Sequence, residues 1–499
     1  MDQLERGTTK TILTVSVMLA TILQVLDSTV ANVALPHIQA ALSATQDEGA
    51  WVLTSYFTAS AVMFPLSAWL ANGFGSRPVF LMSVAGFIAA SLLCGMATSL
   101  PALVFFRILQ GLSGAALAPL SQALLFEINR KEDYGRAMAL WGAGITLGPI
   151  LGFVLGGWLT ENLSWRWVFY VNLPIGILAL AGLYAALPRR APAKPQRFDL
   201  FGFVSLSVGV ASLQLMLDRG QLLDWFASRE IIVEAAFSAL GFYLFLVHTL
   251  STPKPFVNPA LFRDRNFVCA NIFLFLIGVV LFANLALHPL LLQQWMHYPV
   301  LLSGLVLAPR GLGTIIGMFA VGWLVPRFDA RLVMGIALLL TALSLGLMGG
   351  YSLLMGPGPV IAAGLLNATG IGALNVALAT VGFITLPAHL RNEGAALSNL
   401  VRNIGGAIGI SVMVFVLTRN TQQAHAVLSE HVTPYDLVNP ALVRAPMDIH
   451  STAGLMQLDR LITDQSAMLA YIGDFRLMMV LTLLALPCLL LFRPRNRRP

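Results

Sequence analysis

Charge is what this 499-residue sequence has least of: Asp, Glu, Lys and Arg make up 11% of it, against 57% hydrophobic residues. A water-soluble globule needs far more polar side chain to coat its surface, so the scarcity excludes a soluble fold and places the chain in lipid. Cysteine is scarce too. Cys94, Cys269 and Cys488 lie far apart inside apolar runs, with no CxxC and no Cys/His spacing beside them. That excludes a disulfide framework and a metal site, and leaves them as small packing residues. The histidines stand singly in loops or at the ends of apolar runs, so no His, Asp or Cys converge at catalytic spacing and a membrane-embedded enzyme is disfavoured. No repeated filter-like loop suggests a channel, and nothing calls for a cofactor. The net charge of +7 does not imply nucleic acid, because in a membrane chain the position of each basic residue carries the meaning.

What the sequence has in abundance is long apolar runs. They fall at about 12–35, 50–70, 79–98, 101–126, 137–159, 167–187, 200–217, 230–250, 267–287, 301–325, 332–350, 358–386, 394–418 and 475–492. Each is long enough for a helix to cross roughly 30 Å of hydrocarbon. Barrel strands would show ten-residue alternation instead, and a helix satisfies its own backbone in lipid. The expectation is therefore an all-α integral membrane fold with fourteen spans. The first run contains an aspartate and is too long for a signal-peptide core, so it reads as a retained span.

Basic residues test that number. With both termini cytoplasmic, 20 of the 30 Lys and Arg fall on the inside, 7 outside, and Arg107, Arg310 and Arg402 within spans. A bias sustained over eight inside segments supports an even number of crossings and that orientation. Residues 1–187 are expected to form an N-terminal six-helix bundle. Residues 188–266 hold a Pro- and Arg-rich linker and an extra helix pair, spans seven and eight. Residues 267–499 form a C-terminal six-helix bundle, interrupted by an outside loop at 419–474 that His425, Glu430, Asp436 and Asp448 make polar.

Polar residues inside the spans are expensive and so informative. Gln24, Asp27, Ala31 and Ala34 share one stripe of the first helix, so Asp27 must face a cavity or a partner: a proton or cation site, or a structural hydrogen bond. Arg107 shares a face of the fourth helix with Gly111, Gly114 and Ala118. Its guanidinium cannot neutralise itself, which makes Asp27 its expected acceptor, with helix carbonyls as the alternative. Gly144, Gly148, Gly152 and Gly156 recur every four residues on the fifth helix, with Pro149 between them; small residues allow a neighbouring helix close, and proline adds a bend. Arg310 and Arg402 have no evident carboxylate on a C-terminal span. They either receive anionic substrate groups or satisfy exposed carbonyls.

The stretch Leu26-Asp27-Ser28-Thr29-Val30-Ala31-Asn32-Val33-Ala34-Leu35-Pro36 resembles the first-helix signature of the EmrB/QacA exporters, a branch of the major facilitator superfamily. Arg107 to Gly114 is similar to the superfamily's RxxQGxxG motif, and Gly144 to Gly157 to the antiporter motif GxxxGPxxGxxxGG. Trp165 to Gly176, Leu217 to Gln221 with Asp224-Trp225-Phe226, Leu261 to Phe267, Ala308 to Gly311 and Ser398 to Asn403 extend the resemblance over nearly the whole chain. One stretch departs. Where the superfamily has a loop resembling GxLADRxGRR, whose acid and bases latch the bundles, this chain has Leu70-Ala71-Asn72-Gly73-Phe74-Gly75-Ser76-Arg77-Pro78. Gly75 and Arg77 keep the turn and one charge, but Asn72 replaces the acid.

The resemblance implies two six-helix bundles plus two added helices, and export of amphipathic drugs in exchange for protons by alternating access. Asp27 and Arg107 would couple the proton, and Gln24, Gln110, Arg310 and Arg402 are candidates for lining the substrate cavity. It implies no enzyme activity and a bacterial inner membrane. In double-membraned bacteria it further implies a periplasmic adaptor and an outer-membrane channel. A dedicated exporter of one endogenous compound, such as a fatty acid or siderophore, would share every motif.

Overall fold

A computed structural model describes residues 7–130, 133–188, 198–325, 327–430 and 452–492. Among them there are no strands and fourteen helices long and apolar enough to span a membrane. We number them α1 (Thr9–Ala41), α2 (Glu48–Phe74), α3 (Ser76–Met96), α4 (Leu100–Ile128), α5 (Tyr134–Asn162), α6 (Trp167–Ala186), α7 (Leu200–Arg219), α8 (Arg229–Ser251), α9 (Arg265–Trp295), α10 (Leu302–Leu324), α11 (Ala330–Met348), α12 (Pro357–Ile384), α13 (Ala388–Glu430) and α14 (Thr452–Leu491). Local sequence sets their ends. Thr45 and Glu48 form a reciprocal capping box at the start of α2, and the Asp199 side chain caps α7. Gly75, at φ 95°, makes the abrupt turn from α2 into α3.

α1–α6 form one bundle and α9–α14 the other, while α7 and α8 pack against each other outside both. α7 touches α2 and α13, so the added pair straddles the two bundles. The Ser411 hydroxyl on α13 donates to the Leu217 carbonyl at 3.0 Å, and the Trp225 ring meets Phe415 edge-on at 5.7 Å. Outward residues such as Leu178, Leu240 and Leu250 are exposed and apolar, as a lipid-facing wall requires.

The glycines of α5 pack against α1. An added Cβ at Gly148 would sit 3.0 Å from the Val25 Cβ, and one at Gly152 only 2.7 Å from the Thr29 Cβ. The strip therefore lies inside the N-terminal bundle. Another face of α5 makes the seam with α10, where Gly142 meets Met318 and Gly135 meets Gly322. The C-terminal bundle repeats the device: Gly405 and Gly409 on α13 bring its backbone against Phe275 and Val279 on α9.

One region differs from expectation. The stretch read as an outside loop is helical on both flanks: α13 runs unbroken to Glu430 and α14 begins at Thr452. Frequent polar residues suit a helix leaving the bilayer as well as they suit a loop. His425 of α13 and Asp459 of α14 are 3.2 Å apart in this extension. Asp436 and Asp448 in that stretch, and residues 189–197 of the linker, lie outside the described residues.

Candidate functional site

α1 presents Asp27 to the interior of the N-terminal bundle, and residues of four other helices, α2, α3, α4 and α6, gather around it. Arg107 Nη1 donates to Asp27 Oδ2 at 2.6 Å. Asp27 Oδ1 accepts from Gln110 Nε2 at 2.8 Å and from Asn172 Nδ2 at 2.6 Å. Arg107 also donates through Nε to the Val52 carbonyl at 3.0 Å and through Nη1 to Gln110 Oε1 at 2.7 Å. The Tyr56 ring lies against its guanidinium, 4.2 Å away. Ser91 completes the shell, accepting from Gln110 at 3.2 Å and from Asn172 at 2.9 Å and donating to the Phe169 carbonyl at 2.9 Å.

The pair is sealed: Asp27 is 1% exposed, and Arg107, Gln110, Asn172 and Ser91 are 0%. Removing two ions from water costs several kcal/mol each, so the pair persists through its mutual attraction and the further partners of each charge, although Arg107 Nη2 has no hydrogen-bond partner of its own among the described residues. Three donors reach the carboxylate, and the guanidinium has a carboxylate, a carbonyl and an aromatic face. One carboxylate on α1 thereby ties together α1, α4 and α6.

Sequence reasoning paired Asp27 with Arg107 but assigned no role to Asn172, Ser91 or Tyr56. Asn172 carried a usable signal: α6 breaks at Val171 between two helical segments, and Asn172 opens the second. A buried amide at a break in a span needs a partner. The remaining candidates fall in different places. Gln24 stands half-buried beside the Tyr56 hydroxyl. Gln110 belongs to the shell around Asp27 and, being fully buried, does not line a cavity. Arg310 and Arg402 sit in the C-terminal bundle, half-buried. Arg310 Nη2 donates to Asn367 Oδ1 at 3.4 Å, and Arg402 Nη2 to Asn399 Oδ1 at 2.9 Å. Asn399 in turn reaches Gln122 on α4 at 3.4 Å, across the seam. Neither arginine has an ion-pair partner among the described residues. Asp474, read as the last residue of the outside loop, is instead 0% exposed within the C-terminal bundle, because α14 begins well before it. His288, expected at a span end, is likewise buried within α9.

At the α2–α3 turn, Arg77 stays in its own bundle, donating to the Tyr184 carbonyl at 2.8 Å. Asn72 instead crosses to α13. It accepts from Asn392 Nδ2 at 2.8 Å and donates to Glu393 Oε1 at 3.3 Å. Beside this clasp Arg391 donates to the Phe126 carbonyl at 3.3 Å, and Phe126 stacks on Phe383 at 4.7 Å. Asn72 and Arg391 thus join the bundles at this end through neutral and charge-assisted hydrogen bonds.

The Major Facilitator Superfamily profile matches residues 17–410. The chain is 35% identical to the multidrug export protein EmrB of Haemophilus influenzae, over 86% of this chain and 84% of that protein. It is 36% identical to the fatty acid resistance protein FarB of Neisseria gonorrhoeae, over 85% and 83% of the two. Among solved structures, the fold matches the proton:xylose symporter XylE with a TM-score of 0.62 at 12% identity, covering 95% of each chain. It also matches the human organic anion transporter MFSD10 with a TM-score of 0.59 at 16% identity, covering 95% of this chain and 99% of that one. A sealed carboxylate–guanidinium pair, two helical bundles and these relatives agree: the chain belongs to the major facilitator superfamily, in its EmrB-type branch, and is a transporter rather than an enzyme.

Proposed function

We propose that this protein exports amphipathic or lipophilic drugs in exchange for protons, by alternating access between its two bundles. The observation that carries the reading is the Asp27–Arg107 pair, sealed within the N-terminal bundle and bonded to helices whose packing must change between states. The 35% identity to a multidrug export protein supports the substrate class. Proton binding at Asp27 and drug binding in the cavity would favour opposite orientations, which is the requirement for exchange. The distribution of Lys and Arg supports cytoplasmic termini, and the bacterial relatives support a bacterial inner membrane; an adaptor and an outer-membrane channel would carry the drug onward, as the family resemblance implies. The test is drug efflux from proteoliposomes under an imposed pH gradient. Wild type should accumulate dye against its gradient, and Asp27→Asn combined with Arg107→Gln should only equilibrate it. Uphill export by that double variant would remove the assignment.

A second reading, export of fatty acids, is favoured by one observation: Arg310 and Arg402 carry half-buried positive charge with no acid paired to either among the described residues. A carboxylate-bearing substrate would supply the missing partner.

A further inference from the structure

We propose that the C-terminal bundle holds a second proton-carrying site, centred on Asp474 of α14. Asp474 is 0% exposed, and neither of its carboxylate oxygens receives a hydrogen bond. The contrast with Asp27, whose oxygens take three donors, is complete. A carboxylate only accepts hydrogen bonds, and enclosed without a donor it needs a bound proton or a cation.

Its surroundings are short of hydrogens in the same way. Met478, one turn along α14, lies 3.6 Å from Asn284 Nδ2 on α9, and Phe475 lies 5.2 Å from the His288 ring and 5.8 Å from the Tyr351 ring. Asn284 donates its amide to Val280 and Met478, leaving Oδ1 without a donor. His288 Nδ1 meets the Asn284 carbonyl at 2.9 Å. A carbonyl can only accept, so Nδ1 carries the hydrogen and the unpartnered Nε2 is an acceptor. Asn284, His288 and Tyr351 are 0%, 1% and 4% exposed. Among the described residues, both Asp474 oxygens, Asn284 Oδ1 and His288 Nε2 are therefore buried acceptors that no donor reaches.

Few charges face this cluster. Arg310 of α10 is in electrostatic reach of His288 and Tyr351. From α14 itself, Tyr471 neighbours Asp474, while Arg476 is directed to the Gly349 carbonyl after α11, at 3.4 Å. α13 contributes the neutral Asn420 beside Gly473, and the nearby Arg419 is exposed. The step is a proton transfer only. A proton from water joins a carboxylate oxygen, which gives the enclosed group a hydrogen in place of a naked charge, and release returns the carboxylate and hands the proton back to water.

This deepens the exchange reading, and only its transport arm rests on that reading. Infrared spectra of the full-length protein in lipid, recorded across a pH series, should contain a protonated-carboxyl band that Asp474→Asn abolishes and Asp27→Asn retains. In proteoliposomes, the drug gradient that just balances a given proton gradient reports protons moved per drug. It should fall from two in wild type to one in Asp474→Asn. An unchanged band in Asp474→Asn overturns the site whether or not the protein exports drugs. So does loss of the band with an unchanged proton count and weakened binding of cationic dyes, which would make Asp474 a substrate contact.

Discussion

Asn72 on α2 and Glu393 on α13 hold the two bundles together across 321 residues of sequence, the amide donating to Oε1 at 3.3 Å. The acid that the superfamily places on the α2–α3 stretch is here on the opposite side of the seam. Asn72→Asp, which restores the superfamily residue, should therefore weaken closure, because two carboxylates would face each other at hydrogen-bonding distance. Spin-label distances between the ends of α2 and α13 should lengthen in Asn72→Asp and return when Glu393→Gln is added. A shortening in the single variant would refute the clasp.

Breaking the buried pair at one end should cost stability as well as coupling. Asp27→Asn leaves Arg107 charged and enclosed, a loss of about 3–5 kcal/mol for a buried pair. Thermal unfolding in detergent should show Asp27→Asn well below wild type. Asp27→Asn with Arg107→Gln should recover much of the difference without recovering uphill export. Equal midpoints for the single variant and wild type would mean that the pair is solvated in the protein's resting state.

Asn172 should behave as part of the same unit. Its amide donates to Asp27 Oδ1 at 2.6 Å and to Ser91 at 2.9 Å. Asn172→Leu removes both donations at a cost of about 1–3 kcal/mol for each polar group left buried and unpaired. Gradient-driven efflux should fall at least tenfold with membrane insertion intact. Near-normal efflux would reduce Asn172 to a packing residue.

The glycine strip gives a paired prediction on one helix. A methyl at Gly152 would meet the Thr29 Cβ at 2.7 Å, whereas one at Gly157 has nothing within 4 Å. Gly152→Ala should destabilise by about 1–3 kcal/mol, the usual cost of overpacking, and slow turnover by displacing α1, and Asp27 with it, relative to α4 and α6. Gly157→Ala should leave stability and transport unchanged. Similar behaviour of the two variants would show that the strip does not set the position of α1.

The unpaired arginines separate the two substrate readings. Arg402→Gln should reduce export of a carboxylate-bearing lipophile by at least tenfold while sparing a cationic dye. Equal losses for both compounds would make Arg402 a structural residue bridging Asn399 to the seam.

The number of spans was legible in the sequence because crossing hydrocarbon takes about twenty apolar residues in a row, a property of the chain taken one segment at a time. Asp27, Arg107 and the glycines of α5 stood out for a related reason: charge, or repeated absence of side chain, is conspicuous in such a run. Facing was not legible. A helix in lipid is apolar on every side, so periodicity does not say which neighbour each face meets. Only the tertiary structure turned the glycine strip toward α1 and gave the α10 seam to another face of α5. Only it gathered Ser91, Gln110 and Asn172 around one carboxylate. It also decided where α14 begins, since polar residues on a helix projecting past the bilayer read as a loop. That start places Asp474 inside the bundle instead of at its edge.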